Sequence, residues 1–102
     1  MQTHYEFTEG ELLIIHNCLN EVLNGFPVSD FEGALGVSQG YATSLMRRLD
    51  SGGNTFVLTA ADRGALARSI GLVVKELGEG EFSTRVGAEV TDAERLAGEI
   101  AG

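Results

Sequence analysis

The chain has 102 residues and a mass of 10.8 kDa; it is 43% hydrophobic and 22% charged, with 7 Lys and Arg against 15 Asp and Glu for a formal net charge of -8. A chain this short buries about two-thirds of its unfolded surface, which supports one core and excludes a second, substrate-carrying domain, while the apolar content excludes a disordered chain. A pI near 4.5 repels phosphate backbones and anionic lipid on average and favours a basic surface as partner.

The first element expected is an alternating stub, Tyr5-Glu6-Phe7, with the period of a short strand. Thr8-x-x-Glu11 then reads as a capping box opening a long helix whose stripe is Ile15, Leu19, Val22 and Phe26, and which ends at Asn24-Gly25 and the lone Pro27. A short helix over 29–35 is expected next, stopped by Gly36, followed by a third helix capped by Ser38 and running to about Leu49. After a turn at 50–55, the same order recurs. Phe56-Val57-Leu58 is a second stub, and Thr59-x-x-Asp62 a shorter capping box. Leu66, Ile70, Val73 and Leu77 form the second stripe, ending at Gly78 and Gly80. A short helix over 80–86 stops at Gly87, and Thr91 is expected to cap the last helix.

Sliding the sequence by 51 residues aligns 5–49 with 56–100 without a gap, and apolar falls on apolar along the stripes and at the corners: Ile15 on Leu66, Leu19 on Ile70, Phe31 on Phe82, Leu45 on Leu96. The caps Ser38 and Thr91 are a misfit, needing an offset of 53. The expected fold is therefore mainly α, a single domain over 1–102 made of two tandem pseudo-symmetric three-helix halves sharing one core. The stubs Tyr5–Phe7 and Phe56–Leu58 would pair as a tiny two-stranded β ribbon. Phe31 and Phe82 are expected to be buried at equivalent corners.

Function is read less directly. Residues 30–50, DFEGALGVSQGYATSLMRRLD, resemble the helix-turn-helix of bacterial regulators, with Leu35-Gly36-Val37-Ser38 at the turn. The resemblance implies DNA reading by Gln39, Tyr41, Thr43, Ser44, Arg47 and Arg48, although Glu32 stands where that family carries a small residue. Charge sets this reading second, because residues 1–51 have net charge -5 and residues 52–102 have -3, so the half holding the reading helix is the more acidic.

A second candidate surface lies on the first long helix, where His16, Asn17, Asn20, Glu21 and Asn24 flank or oppose the apolar stripe. Asn costs a helix about 0.5 kcal/mol per site relative to Ala, so three in two turns imply specific hydrogen bonds. Asn20 and Glu21 have a structural alternative, bonding the N–H groups that open the following helices. The matching residues of the second half, Ala67, Arg68, Gly71, Leu72 and Lys75, do not repeat the pattern.

Catalytic constellations are thin. His16 and Cys18 are two apart and point about 200° away from each other on a helix, His4 is expected in a flexible start, and no glycine run has phosphate-binding spacing. Cys18 has no disulfide partner and no zinc-ligand set around it. The longest aliphatic run, Leu12 to Ile15, is far too short for a membrane span, and the N-terminus has no export signal. No enzyme activity and no cofactor are expected, and cytoplasmic residence is the default. In size and charge the chain resembles the small acidic immunity proteins that neutralise bacterial nuclease toxins and antitoxin-type inhibitors, which implies a non-enzymatic protein that covers a basic protein partner. The sequence leaves open both a scaffold role and self-association into a homo-oligomer.

Overall fold

A computed structural model describes residues 2–102, in the order β1 (Gln2–Glu6), α1 (Glu9–Asn20) continued by a π turn (Glu21–Gly25), α2 (Phe31–Leu35), α3 (Gln39–Asp50), β2 (Thr55–Thr59), α4 (Ala60–Val86) and α5 (Val90–Ala101). The two strands pair antiparallel, with Tyr5 opposite Phe56 and Gln2 opposite Thr59, and the Phe7 N–H extends the ladder to the Asn54 carbonyl at 2.8 Å. His4 is paired with Val57 in this ribbon rather than lying in a loose start. Phe7 and Leu58 turn inward to the core, and the Tyr5 ring stacks on Phe7 with centroids 5.6 Å apart.

Both long helices start in the expected way. The Thr8 hydroxyl accepts from the Glu11 N–H while the Glu11 carboxylate accepts from the Thr8 N–H, and Thr59 and Asp62 repeat the exchange at the start of α4. Helix α1 buries Ile14, Ile15, Cys18 and Leu19 against α4, which contributes Ala65, Leu66, Ser69, Ile70 and Val73 from its first arm. Helix α5 lies along α4 and adds Ala93, Leu96 and Ile100; α3 adds Ala42, Leu45 and Leu49, so every helix shares one apolar core.

The short helix expected over 80–86 is present as the second arm of α4, set off from the first at Gly78, where φ is 74° and ψ 172°, and stopped at Gly87. Two local departures from the sequence reading concern a cap and a corner. Thr91 does not cap α5: the cap position is Glu89, which makes no side-chain capping bond, and Thr91 sits inside the first turn. The disputed offset thereby disappears, because α3 and α5 begin at 39 and 90. Phe82 is fully buried, whereas Phe31, the first residue of the five-residue α2, is only half-buried.

Helix α2 starts from Asp30 in a left-handed conformation, φ 48°, and the Asp30 carboxylate caps the Gly33 N–H at 3.2 Å. A Cβ at position 33 would stand 2.1 Å from that carboxylate, so this tight cap requires glycine.

Candidate partner-binding site

The α1 residues singled out by the sequence are largely engaged inside the molecule. The Asn17 amide donates to the Val86 carbonyl at 2.8 Å, satisfying an end of α4 that has no helical partner. Glu21 is buried and bonded to Arg85 at 2.5 Å, and its carboxylate lies over Gly25, where a Cβ would come within 2.0 Å of it. Glu21 thus ties the π turn to α4, not to the N–H groups opening α2 or α3. His16 contacts Asp50 at 2.9 Å, and Asn24 donates to Asn20 at 3.0 Å on the exposed surface. Asn17 and Glu21, set toward a partner in the sequence reading, thus each make a bond to α4 within the chain.

The face of α3 proposed to read DNA is divided in the same manner. The Tyr41 hydroxyl donates to Asp62 at 2.6 Å and Arg48 donates to the same carboxylate oxygen at 2.6 Å, which fixes both side chains on the start of α4. Burial alone would push the Asp62 carboxyl up; the bonds from Arg48, Tyr41 and the Thr59 backbone outweigh it and hold the group below the usual carboxylate range. Gln39, Thr43 and Arg47 instead meet Asn20 and Asn24 in one groove of about 390 Å³ floored by Leu23 and Met46, and Ser44 is exposed. The two candidate surfaces of the sequence converge there. The Thr43 hydroxyl is spent on the Gln39 carbonyl at 2.9 Å, and Asn20 and Asn24 on each other.

A larger concavity than this groove was not legible as a site in the sequence. It is a groove of about 650 Å³ between the start of α1 and α5, with Leu13, Ile14 and Leu96 among its apolar walls and Glu11, Asp92 and Glu99 among its charged ones. Arg95 also lines it, already bonded to Asp92. Leu13 is 46% exposed, one of two large hydrophobic residues so exposed among those described.

The start of α4 offers an internal comparison. Asp62, Tyr41 and Arg48 are the positions 51 residues from Glu11, Asp92 and Glu99. At Asp62 the neighbouring helix supplies a phenol and a guanidinium, and the space is closed. At Glu11 the neighbouring helix supplies Asp92, bonded to its own Arg95, and Glu99, and the space is open. The signal that could have found this groove was the 51-residue register itself, which sets Glu99 where Arg48 stands.

Cys18 is fully buried, and burial, with the Glu21 charge adding to it, pushes its thiol up to about 12, far from a thiolate at neutral pH. Among the described residues no cluster of His, Cys, Asp and Glu is arranged to hold a metal, and no helix is long and apolar enough to cross a membrane. Comparison with family models, with curated proteins and with solved structures finds no match to this chain.

Proposed function

We propose that this chain is a non-enzymatic binding protein that covers a basic protein surface, and that the groove between α1 and α5 is where it does so. One observation carries this reading: the carboxylate of Asp62 is neutralised by Arg48 of its own chain, while in the open groove Arg95 is bonded to Asp92 and, among the described residues, neither Glu11, which accepts from the Thr8 N–H, nor Glu99 has a cation of its own chain on it. An arginine brought by a partner would stand to Glu11 as Arg48 stands to Asp62, its stem lying along Leu13 and Leu96. The net charge of -8 would steer such a partner in. The resemblance in size and charge to immunity and antitoxin-type inhibitors, with action in the cytoplasm, belongs to the same reading.

This proposal includes the tandem repeat. Equivalent capping boxes at Thr8 and Thr59, left-handed stops at Gly36 and Gly87, and α3 and α5 starting 51 residues apart all support it. The ribbon supports it as well: exchanging each residue for its equivalent returns the pair Tyr5–Phe56 to itself and turns His4–Val57 into Glu6–Thr55, a pair also in the ladder. On this view one half kept the Tyr-Arg closure of its groove, and the other replaced it with carboxylates and gained a docking site.

An oligoarginine peptide titrated into the isotopically labelled protein tests the site. The amides of Glu11, Leu13 and Leu96 should shift, with affinity falling as salt shortens the Debye length from about 10 Å to about 3 Å. Glu99→Arg, which supplies the missing cation from within, should weaken binding about tenfold or more. Shifts confined to Gln39, Thr43 and Arg47, appearing with duplex DNA and not with the peptide, would return the function to the helix-turn-helix segment.

A further inference from the structure

Among the smaller hollows of the surface are two of nearly equal size, about 280 and 300 Å³, at related positions. The first lies on α1 beside the end of α3 and is walled by Glu9, Leu12, Leu13, His16 and Asp50, with Leu49 beneath. The second lies on α4 beside the end of α5 and is walled by Ala60, Arg63, Gly64, Ala67, Arg68 and Ala101. Position by position they stand 51 residues apart: Glu9 and Ala60, Leu12 and Arg63, Leu13 and Gly64, His16 and Ala67, Asp50 and Ala101.

Their chemistry is opposite. The α1 hollow sets two carboxylates, Glu9 and the His16-bonded Asp50, around Leu13, an exposed apolar knob. The α4 hollow sets two guanidiniums around a floor of glycine and alanine, with no acidic residue in its wall. In a chain with only 7 basic residues against 15 acidic ones, this pairing of arginines is conspicuous. Neither arginine is in an ion pair among the described residues; the Arg63 Nε is buried without an acceptor, and Arg68 reaches only the Leu35 carbonyl, at 3.4 Å.

We infer that these hollows are the two sides of a contact between copies of this chain, with Leu13 of one copy seated on Ala60 and Ala67 of the next and Glu9 and Asp50 set against Arg63 and Arg68. The space directly over Gly64 holds the Arg68 guanidinium, 2.9 Å from where a Cβ would stand. Where one face has carboxylates the other has guanidiniums outside any ion pair, and where one has an apolar knob the other has only small side chains between its arginines. Because the two patches are different and do not overlap, the contact is heterologous. Each copy bound through one face keeps the other free, so association continues past the dimer into a ring or filament. The faces are small, so the contact is weak and salt-sensitive.

Sedimentation velocity on the chain alone, from micromolar to millimolar protein in low salt, tests this without any partner. Leu13→Lys reverses the character of the first face and Ala67→Glu that of the second; thermal melts establish that each variant is folded. The parent should form species larger than a dimer that dissociate as salt is added, and each variant alone should be monomeric. Their equal mixture should give a dimer and nothing larger, because each supplies one intact face. A parent that stays monomeric at millimolar concentration in low salt, or stops at a dimer, overturns the inference, as does a mixture that remains monomeric. Leu13 also lines the acidic groove, but Ala67 does not. The behaviour of Ala67→Glu therefore separates failure of this contact from failure of the basic-partner site.

Discussion

Among single residues, Asp62 and Glu21 show how an acidic chain keeps carboxylates inside. Asp62 is fully buried yet bonded to Arg48, Tyr41 and the Thr59 N–H, so its ionised form is stabilised on folding. Its carboxyl is held below the unfolded value, and the stability it confers is present above the ordinary carboxylate range and is lost as pH falls through the lowered value. Asp62→Asn should therefore destabilise by about 1–3 kcal/mol at neutral pH, and urea melts of parent and variant should converge as the pH is taken into the acid range. A difference unchanged from pH 7 to acid would show that the charge of Asp62 does not contribute. Gly25 supplies a complementary test. Helix propensity alone makes Gly25→Ala stabilising by about 1 kcal/mol, but the new Cβ would enter the space of the Glu21 carboxylate. The expected outcome is a loss of about 1–3 kcal/mol, much smaller when Glu21→Gln is already present, which a double-mutant cycle measures.

At the scale of elements, starts and stops decide the outcome, and they were the most legible part of the sequence. Capping boxes, the Gly36 and Gly87 stops and the stripe positions Ile15, Leu19, Val22, Leu66, Ile70 and Val73 depend on neighbours within a turn or two, and the structure has them where the periodicity put them. The errors arose where a local signal had two solutions. Thr91 is a good capping residue, but Gly87 ends α4 early enough for α5 to start at Val90, which leaves the cap to Glu89. Thr91→Ala should accordingly change stability by less than about 0.5 kcal/mol, whereas Ser38→Ala should cost about 1 kcal/mol and Glu89→Ser should gain a similar amount, all readable by thermal melts. A large loss in Thr91→Ala would restore the original cap. The contacts of Asn17, Glu21 and Arg48 were not legible, because their partners Val86, Arg85 and Asp62 lie far along the chain or on another helix. An amphipathic pattern reports that a polar face exists and is silent about which polar groups tertiary contacts will use.

For the whole molecule, the mainly helical architecture and its two-stranded ribbon were legible from periodicity and caps, whereas the α1–α5 groove was not. Glu99 falls on Arg48 in the 51-residue register, yet Glu99 lines the open α1–α5 groove whereas Arg48 is bonded to Asp62. The proposed repeat makes a demand on connectivity. If the halves are equivalent units, the order in which the chain visits them is immaterial provided the ends can be joined. The turn between them contains Gly52 and Gly53, both exposed and left-handed, with nothing near enough to meet an added Cβ. At the other end, the Tyr5 hydroxyl donates to the Ile100 carbonyl at 3.4 Å, so the end of α5 lies beside β1. A circular permutant opened between Gly52 and Gly53, with residues 102 and 1 joined by a short glycine linker, should fold to the same helical content. Its melting temperature should lie within about 10 °C of the parent, a loss of one or two kcal/mol for a domain of this size. It should also keep the oligoarginine response at Glu11 and Leu96, since α1 and α5 pack as before whichever half is made first. A permutant that is unfolded, or folded without that response, would mean that the 50–55 turn is itself part of what holds the halves together.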